Sequence, residues 1–349
     1  AQYRRTAPIE PPPSQVSRAA ELLRGAERAH IHAGSGVLHA QGSAALKTVA
    51  ESLGVSVTTS WAGRGGLPDD HEQLLPIWAM EPINQARSEA DVVLVVGSRL
   101  GETDWWGKPP YWGKPDEQRM IQVDIDDEIL GLNKATELAV LADANAFLSA
   151  LGRELERSPL PPDRLQANKA RTAALVEGQG KVRAQLDAAL ENTATPMHSA
   201  HVPNVCQKVF GDDAVYVFDG GIATVWASFF SRINRPDALL STFKLGMLGA
   251  GVSQALGGQI ARPDAKVVCI IGDGAMGFHV QELETALRNG LPVIYLVLCD
   301  KQWGMVKLTQ TIGLQMLRPA IGTEQQGTIN ADFEEIEFDK VAVAMGCHG

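Results

Sequence analysis

Short apolar runs alternate along this chain with longer stretches whose apolar residues recur at helical spacing. Ala29 to Ala33, Val55 to Thr58, Asp91 to Gly97 and Met120 to Ile125 read as strands, with a helix-like stretch over 42–53 between the first two. Such alternation predicts a parallel sheet wrapped by helices, because parallel strands need crossovers and the crossovers cover both faces. The pattern breaks over 158–195. There Pro159, Pro161 and Pro162 precede a charged, alanine-rich stretch, Arg164 to Asn192, which predicts an exposed helix within a connecting segment. It then resumes with strands at Val215 to Asp219, Lys266 to Gly272 and Pro292 to Asp300. The expected organisation is a proline-rich linker over 1–15, a first domain over 16–157, the connecting segment, and a second domain over 196–349, both domains being three-layer α/β units with mainly parallel sheets. A helix-like stretch from Asp339 to Met345 runs into Gly346, Cys347, His348 and Gly349 where a further strand should start, so the second domain is expected to be C-terminally truncated.

A length of 349 residues fits two cores. The net charge of -10 and the lack of a basic run argue against nucleic acid as a partner. Cys206, Cys269, Cys299 and Cys347 show no metal-ligand spacing and read as reduced, buried thiols. No run approaches the roughly 18–20 apolar residues that span a bilayer, and no secretory leader is visible, so no membrane association and a cytoplasmic location are expected.

Candidate chemistry concentrates after the apolar run Val267 to Ile271, a buried strand that delivers Gly272-Asp273-Gly274 into a turn before the helical Gln281 to Thr285 segment. Amides at such a turn face an anion and glycines permit close approach. Asp273 is placed to hold a divalent cation against phosphate oxygens. The strand Val293 to Leu298 carries Asp300 to the same carboxyl edge. Alone, Gly-Asp-Gly also occurs in calcium loops and simple turns; the spacing to Asp300 narrows it. His279 and His348 read as structural or exposed, and Cys299 as a buried apolar thiol.

These residues resemble the acetolactate synthase-like thiamin diphosphate-dependent enzymes. The resemblance implies Mg2+ held by Asp273, Asp300 and the backbone carbonyl of Gln302, with Gly272, Gly274, Ala275 and Met276 at the diphosphate. Asp219-Gly220-Gly221 resembles the turn that meets the diphosphate end from the other side. The stretch Lys244-Leu245-Gly246-Met247-Leu248-Gly249 resembles the loop in which a carbonyl, at Gly246, meets the aminopyrimidine and an apolar side chain, at Leu248, props the cofactor in a bent form. Bent, the cofactor brings its own amine to the thiazolium carbon as an internal base, and the thiazolium serves as electron sink. One departure stands out: most members carry an Asn pair where this chain has Cys299-Asp300. The oxygen donor is kept, a negative charge is added, and with Trp303 the segment looks nearer the 2-hydroxyacyl-CoA lyases, which leaves the substrate open.

The implied activity is carboligation or decarboxylation of a small-molecule 2-oxo acid, with acyl-CoA chemistry of the 2-hydroxyacyl-CoA lyase or oxalyl-CoA decarboxylase kind as the alternative. In the family, a glutamate on a separate pyrimidine-binding domain relays the proton across a homodimer or homotetramer. No segment matches that domain, so the catalytic residues stay unknown and this chain alone is expected not to turn over. Residues 16–155 resemble the family's middle domain, which binds FAD or ADP in some members and nothing in others. Gly34, Gly97, Arg99, Asp124 and Asp126 match nucleotide-lining positions, against ordinary strand-to-helix turning. The loop with Trp105, Trp106, Tyr111 and Trp112 reads as packing over a sheet edge. A non-catalytic nucleotide-binding relative is the rival of another class; a nicotinamide oxidoreductase is disfavoured because no GxGxxG follows a first strand.

Overall fold

The computed structural model describes residues 7–243, 245–321 and 327–349. It contains two compact units, residues 1–191 with 232–237, and residues 192–231 with 238–349.

The first unit runs α1 (Pro13–Gly25), β1 (Ala29–Ala33), α2 (Ser35–His39), α3 (Ser43–Leu53), β2 (Val57–Thr59), β3 (Leu74–Leu75), α4 (Met80–Glu89), β4 (Val92–Val96), β5 (Arg119–Asp124), β6 (Leu138–Leu141), α5 (Ala144–Arg157) and α6 (Pro162–Asp187). Its six strands are parallel in the order β3-β2-β1-β4-β5-β6. Pro13 opens α1 inside the stretch expected as linker, since a first-turn amide has no intrahelical acceptor and proline's lack of one costs nothing there. The largest apolar cluster joins Ile31, Leu94 and Ile121 of the sheet to Leu23, Leu46, Val49, Phe147 and Leu151 of α1, α3 and α5.

Helix α6 stands where the exposed connecting helix was expected, and one stripe along it is buried. Three polar side chains on it are buried and donate to backbone carbonyls: Asn168 to Leu53 (2.8 Å), Thr172 to Gly54 (3.0 Å) and Gln179 to Leu74 (2.9 Å). Its buried stripe is largely polar, so apolar periodicity gave no sign of it.

Strand β1 explains a second feature that hydropathy hid. Ala29, Ile31 and Ala33 enter the apolar cluster, while His30 and His32, on the other face, are fully buried in a polar network. Arg87 Nη2 donates to Asp104 Oδ1 (3.1 Å) and to His32 Nδ1 (3.2 Å), so Nδ1 is the acceptor and His32 Nε2, 3.4 Å from Asp104 Oδ2, carries the proton. Thr58 Oγ1 lies 3.0 Å from His32 Nδ1 and 2.8 Å from His30 Nε2, and His30 Nδ1 meets Ser56 Oγ at 2.9 Å. Trp112 closes the network: its ring lies 4.9 Å from the Arg87 guanidinium and its Nε1 donates to the Asp104 carbonyl (2.7 Å). Packing was expected of this loop. Trp112 is buried, whereas Trp105 stacks on Tyr111 at 4.1 Å and stays, like Trp106, partly exposed.

Burial pushes the imidazoles of His30 and His32 below the ordinary value; Arg87 adds to both shifts, and Asp104 opposes that of His32. The folded state therefore prefers them neutral. The stability they contribute is complete above the unfolded value of about 6.5 and is lost as pH falls below it toward the folded values. Tm is expected to fall as pH drops from about 7 to about 5, with a shallower slope in His30→Gln, measured by scanning calorimetry.

The second unit runs α7 (His201–Phe210), β7 (Val215–Phe218), α8 (Gly221–Phe230), β8 (Leu239–Ser241), α9 (Ala250–Ala261), β9 (Val267–Gly272), α10 (Asp273–His279), α11 (Glu282–Arg288), β10 (Ile294–Leu298), α12 (Gly304–Ile321) and α13 (Phe338–Ala344). Its four strands are parallel in the order β10-β9-β7-β8, over a core of Val215, Val217, Val252, Val267, Cys269 and Ile271. The α/β class and the mainly parallel sheets match the expectation. Among the described residues no helix is long and apolar enough to cross a membrane.

Candidate functional site

In the second sheet β8 lies outside β7 and β10 lies outside β9, so connections leave β7 and β9 in opposite directions and a crevice opens at their carboxyl ends. A cavity of about 720 Å3 occupies it. Three helices start on its wall, α8 at Gly221, α10 at Asp273 and α12 at Gly304. First-turn amides lack intrahelical partners, and three sets of them converging on one space favour an anion.

The sequence pattern put a plain turn between β9 and a helix near 281; in the structure Asp273 is itself the first residue of α10. Its carboxylate is buried, Oδ1 accepting from Gly274 N (2.7 Å) and Oδ2 from Lys301 N (2.8 Å). The second bond fastens the end of β9 to the turn after β10 and so brings Asp300 into the same cavity. Burial pushes the Asp273 carboxyl above its ordinary range, the two amides oppose this, and the charge of Asp300 adds to it. Asp300 is exposed and accepts from Gln302 Nε2 (2.9 Å); the Gln302 carbonyl accepts from Gly304 N (2.9 Å) and keeps a second lone pair. Two carboxylates and a carbonyl are hard oxygen donors that suit Mg2+, with the remaining positions left to phosphate or water. Among the described residues no three His, Cys, Asp or Glu side chains gather as a metal site, so such a cation would need those further oxygens.

Of the other expected residues, Gly220, Gly221, Leu248, Gly272, Gly274 and Ala275 line the cavity. Met276 is not a cavity-lining residue: its side chain packs into the apolar core, where a thioether gains more from burial than at a polar crevice. Asp219 is buried and its carboxylate is taken by the amides of Gly249 and Gly251. Lys244 lies outside the described residues. Cys299 is also corrected, being exposed because β10 is an edge strand of the described sheet. The sequence reading missed Met197, Ile222, Trp226, Met305 and Glu335 as cavity residues. Ile222 and Met305 each follow a glycine that starts a helix, a local signal that was available; Met197, Trp226 and Glu335 carried none.

Trp303 packs directly on the Gly274 backbone, 5.4 Å from the Phe333 ring and 5.8 Å from that of Phe278. A Cβ at position 274 would stand 2.6 Å from Trp303 Cζ3. Gly274→Ala is expected to displace the indole and the adjoining Asp300–Gln302 turn and to weaken binding of inorganic diphosphate in the presence of Mg2+ roughly tenfold or more, by calorimetry.

In the first unit Gly34 follows β1 and Gly97 follows β4, the neighbouring strands at which that sheet's order reverses. They touch each other: a Cβ on Gly34 would fall 2.0 Å from the Gly97 carbonyl oxygen. Arg99 is paired with Glu102 (3.0 Å), and Asp124 accepts from Asp126 N (3.2 Å). The glycines thus have an established use in backbone packing.

A sheet switch point with an acid pair and three helix starts can receive an anion and, at the acids, a cation. Comparison with known proteins agrees in kind: residues 16–151 match the central domain of thiamine pyrophosphate enzymes, and residues 219–349 match their C-terminal TPP binding domain. The chain belongs to the thiamine pyrophosphate enzyme family. It is 27% identical to an acetolactate synthase of Mycobacterium bovis, over 97% of this chain and 53% of that protein. It is 28% identical to a sulfoacetaldehyde acetyltransferase of Castellaniella defragrans (96% and 57%) and 30% identical to an acetolactate synthase large subunit of Parasynechococcus marenigrum (86% and 47%). The chain spans about half the length of the curated relatives it matches.

Proposed function

We propose that this chain carries the diphosphate- and metal-holding part of a thiamin diphosphate- and Mg2+-dependent enzyme that makes or breaks a carbon–carbon bond beside the carbonyl of a 2-oxo acid. The observation that carries the reading is the Asp273–Lys301 hydrogen bond, which sets Asp273, Asp300 and the Gln302 carbonyl around one cavity. Those three groups would hold Mg2+, and the Gly220–Gly221 and Gly272–Gly274 turns would admit a diphosphate. When bound, the cofactor supplies a carbon nucleophile and an electron sink. The chain's residues bind and orient it, and Leu248, Trp226 and Met305 exclude water from the cavity wall.

The likeness to acetolactate synthases supports pyruvate as the 2-oxo acid, and that to sulfoacetaldehyde acetyltransferases supports acetyl transfer as the outcome. Asp300 and Trp303 favour the second reading, cleavage of 2-hydroxyacyl-CoA or decarboxylation of oxalyl-CoA. Assays of the intact enzyme with pyruvate and with each thioester separate them: acetolactate from pyruvate supports the first, and thioester turnover without pyruvate consumption replaces it. Cofactor binding with no turnover of any of these moves the assignment to a non-catalytic relative. FAD or ADP is proposed for the first unit at the strand ends carrying Gly34, Gly97, Arg99, Asp124 and Asp126. Titration of each into flavin-free protein tests it, and no binding of either leaves those glycines to packing alone.

A further inference from the structure

Asp219 directly follows β7 and is 2% exposed, outside the cavity wall, yet its carboxylate is fully engaged. Oδ2 accepts from Gly249 N (2.9 Å) and Oδ1 from Gly251 N (2.6 Å), the cap and second residue of α9. An anion bridging two first-turn amides makes charge-assisted bonds and faces the favourable end of the helix dipole. The fit leaves no spare room: a Cβ on Gly251 would stand 2.8 Å from Asp219 Oδ1. Immediately before Gly249 the chain carries Leu248 into the cavity wall. Immediately after Asp219, Gly220 receives the same loop, since a Cβ there would lie 2.8 Å from the Gly246 carbonyl oxygen and 3.0 Å from Leu248 Cδ2. The strand-end turn and the loop over 246–249 therefore close on each other, and Asp219 is the clasp.

We infer that Asp219 is a positioning residue for the organic part of the cofactor: by holding Gly249 and Gly251 it sets Leu248 at the cavity, without touching the ligand itself. The inference rests on the thiamin diphosphate reading. It separates two functions within one cavity. Leu248 is apolar and can recognise only the organic portion, whereas Asp273, Asp300 and the glycine turns after β9 and β7 serve cation and diphosphate. Loosening the clasp should cost recognition of the organic portion and spare recognition of the diphosphate.

The test is calorimetric titration of the intact protein, with Mg2+, by thiamin diphosphate and separately by inorganic diphosphate, on wild type, Asp219→Asn and Gly251→Ala. Asp219→Asn keeps the shape but offers one amide a donor in place of an acceptor. Gly251→Ala keeps the charge and crowds the carboxylate, so it carries the test if Asp219→Asn does not fold. The expected result is at least a tenfold loss for thiamin diphosphate with inorganic diphosphate within twofold of wild type. Equal losses for both ligands would make Asp219 a general structural residue, and unchanged thiamin diphosphate affinity in a folded variant would remove its role; either overturns the inference. Failure of wild type itself to bind thiamin diphosphate is a different result, which overturns the cofactor reading underneath.

Discussion

Asp273→Ala is expected to lower Mg2+-dependent affinity for thiamin diphosphate by roughly 100-fold or more and to abolish turnover with it, because even groups that only orient a metal's ligands are worth about 10–100-fold. The carboxylate does two things. It faces the cavity as the better-fixed of two acids, and it holds the Lys301 amide at 2.8 Å, which positions Asp300 and Gln302. Alanine removes both, so Asp300 loses its register along with its partner ligand. Asp273→Asn separates the two effects, since its amide oxygen can still accept from Lys301 N while the charge is gone; its affinity should lie between those of wild type and alanine. Stability without ligand should fall modestly in Asp273→Asn, because the new NH2 group presents a donor to the Gly274 amide from which the carboxylate accepts. Calorimetry with and without Mg2+, beside a thermal melt of each variant, checks this. Wild-type affinity in a folded Asp273→Ala would remove the metal assignment.

How much of this was legible in sequence depends on whether the signal was local. The strands Ala29–Ala33 and Val267–Gly272 are short and each runs into a glycine at its end, and the pattern located both nearly to the residue. Strand β6 escaped because Leu138 to Leu141 is four residues long, and β8, three half-buried residues, is too short to show a period. Gly272-Asp273-Gly274 and Asp300 were readable as a pair because parallel topology delivers successive strand ends to one edge. The use of Asp219 was not, since a buried acid that clasps amides 30 and 32 residues away has the same local signature as one that meets a ligand. Met276 misled for the same reason: its backbone belongs to the cavity segment while its side chain belongs to the core. Cys299 misled because an apolar run reports burial only when something covers the strand, and among the described strands nothing pairs with the outer side of β10.

The first unit's polar network is the most complete case of hidden structure, and it sets the largest expected stability effect. Arg87, Asp104, His32 and Thr58 are far apart in sequence and none lies in a motif, yet all are buried together. Burial alone would raise the Asp104 carboxyl, but His32 and Arg87 hold it below its ordinary range, so the acid is charged and depends on them. Arg87→Met keeps the length and apolar stem of the side chain while leaving that charge without its guanidinium partner. Removal of one member of a buried pair costs about 3–5 kcal/mol, much more than the net contribution of the pair, because the desolvated charge remains. Arg87→Met is therefore expected to lose about that much by urea denaturation followed through the loop tryptophans. The double variant Arg87→Met, Asp104→Leu should recover a substantial part, since an apolar replacement of the whole pair removes the stranded charge, although the Trp112 contact with the guanidinium is gone in both. A loss below about 1 kcal/mol in the single variant would mean that His32 alone suffices to hold Asp104, and a double variant no more stable than the single would mean that packing against Trp112, rather than charge, is what Arg87 provides.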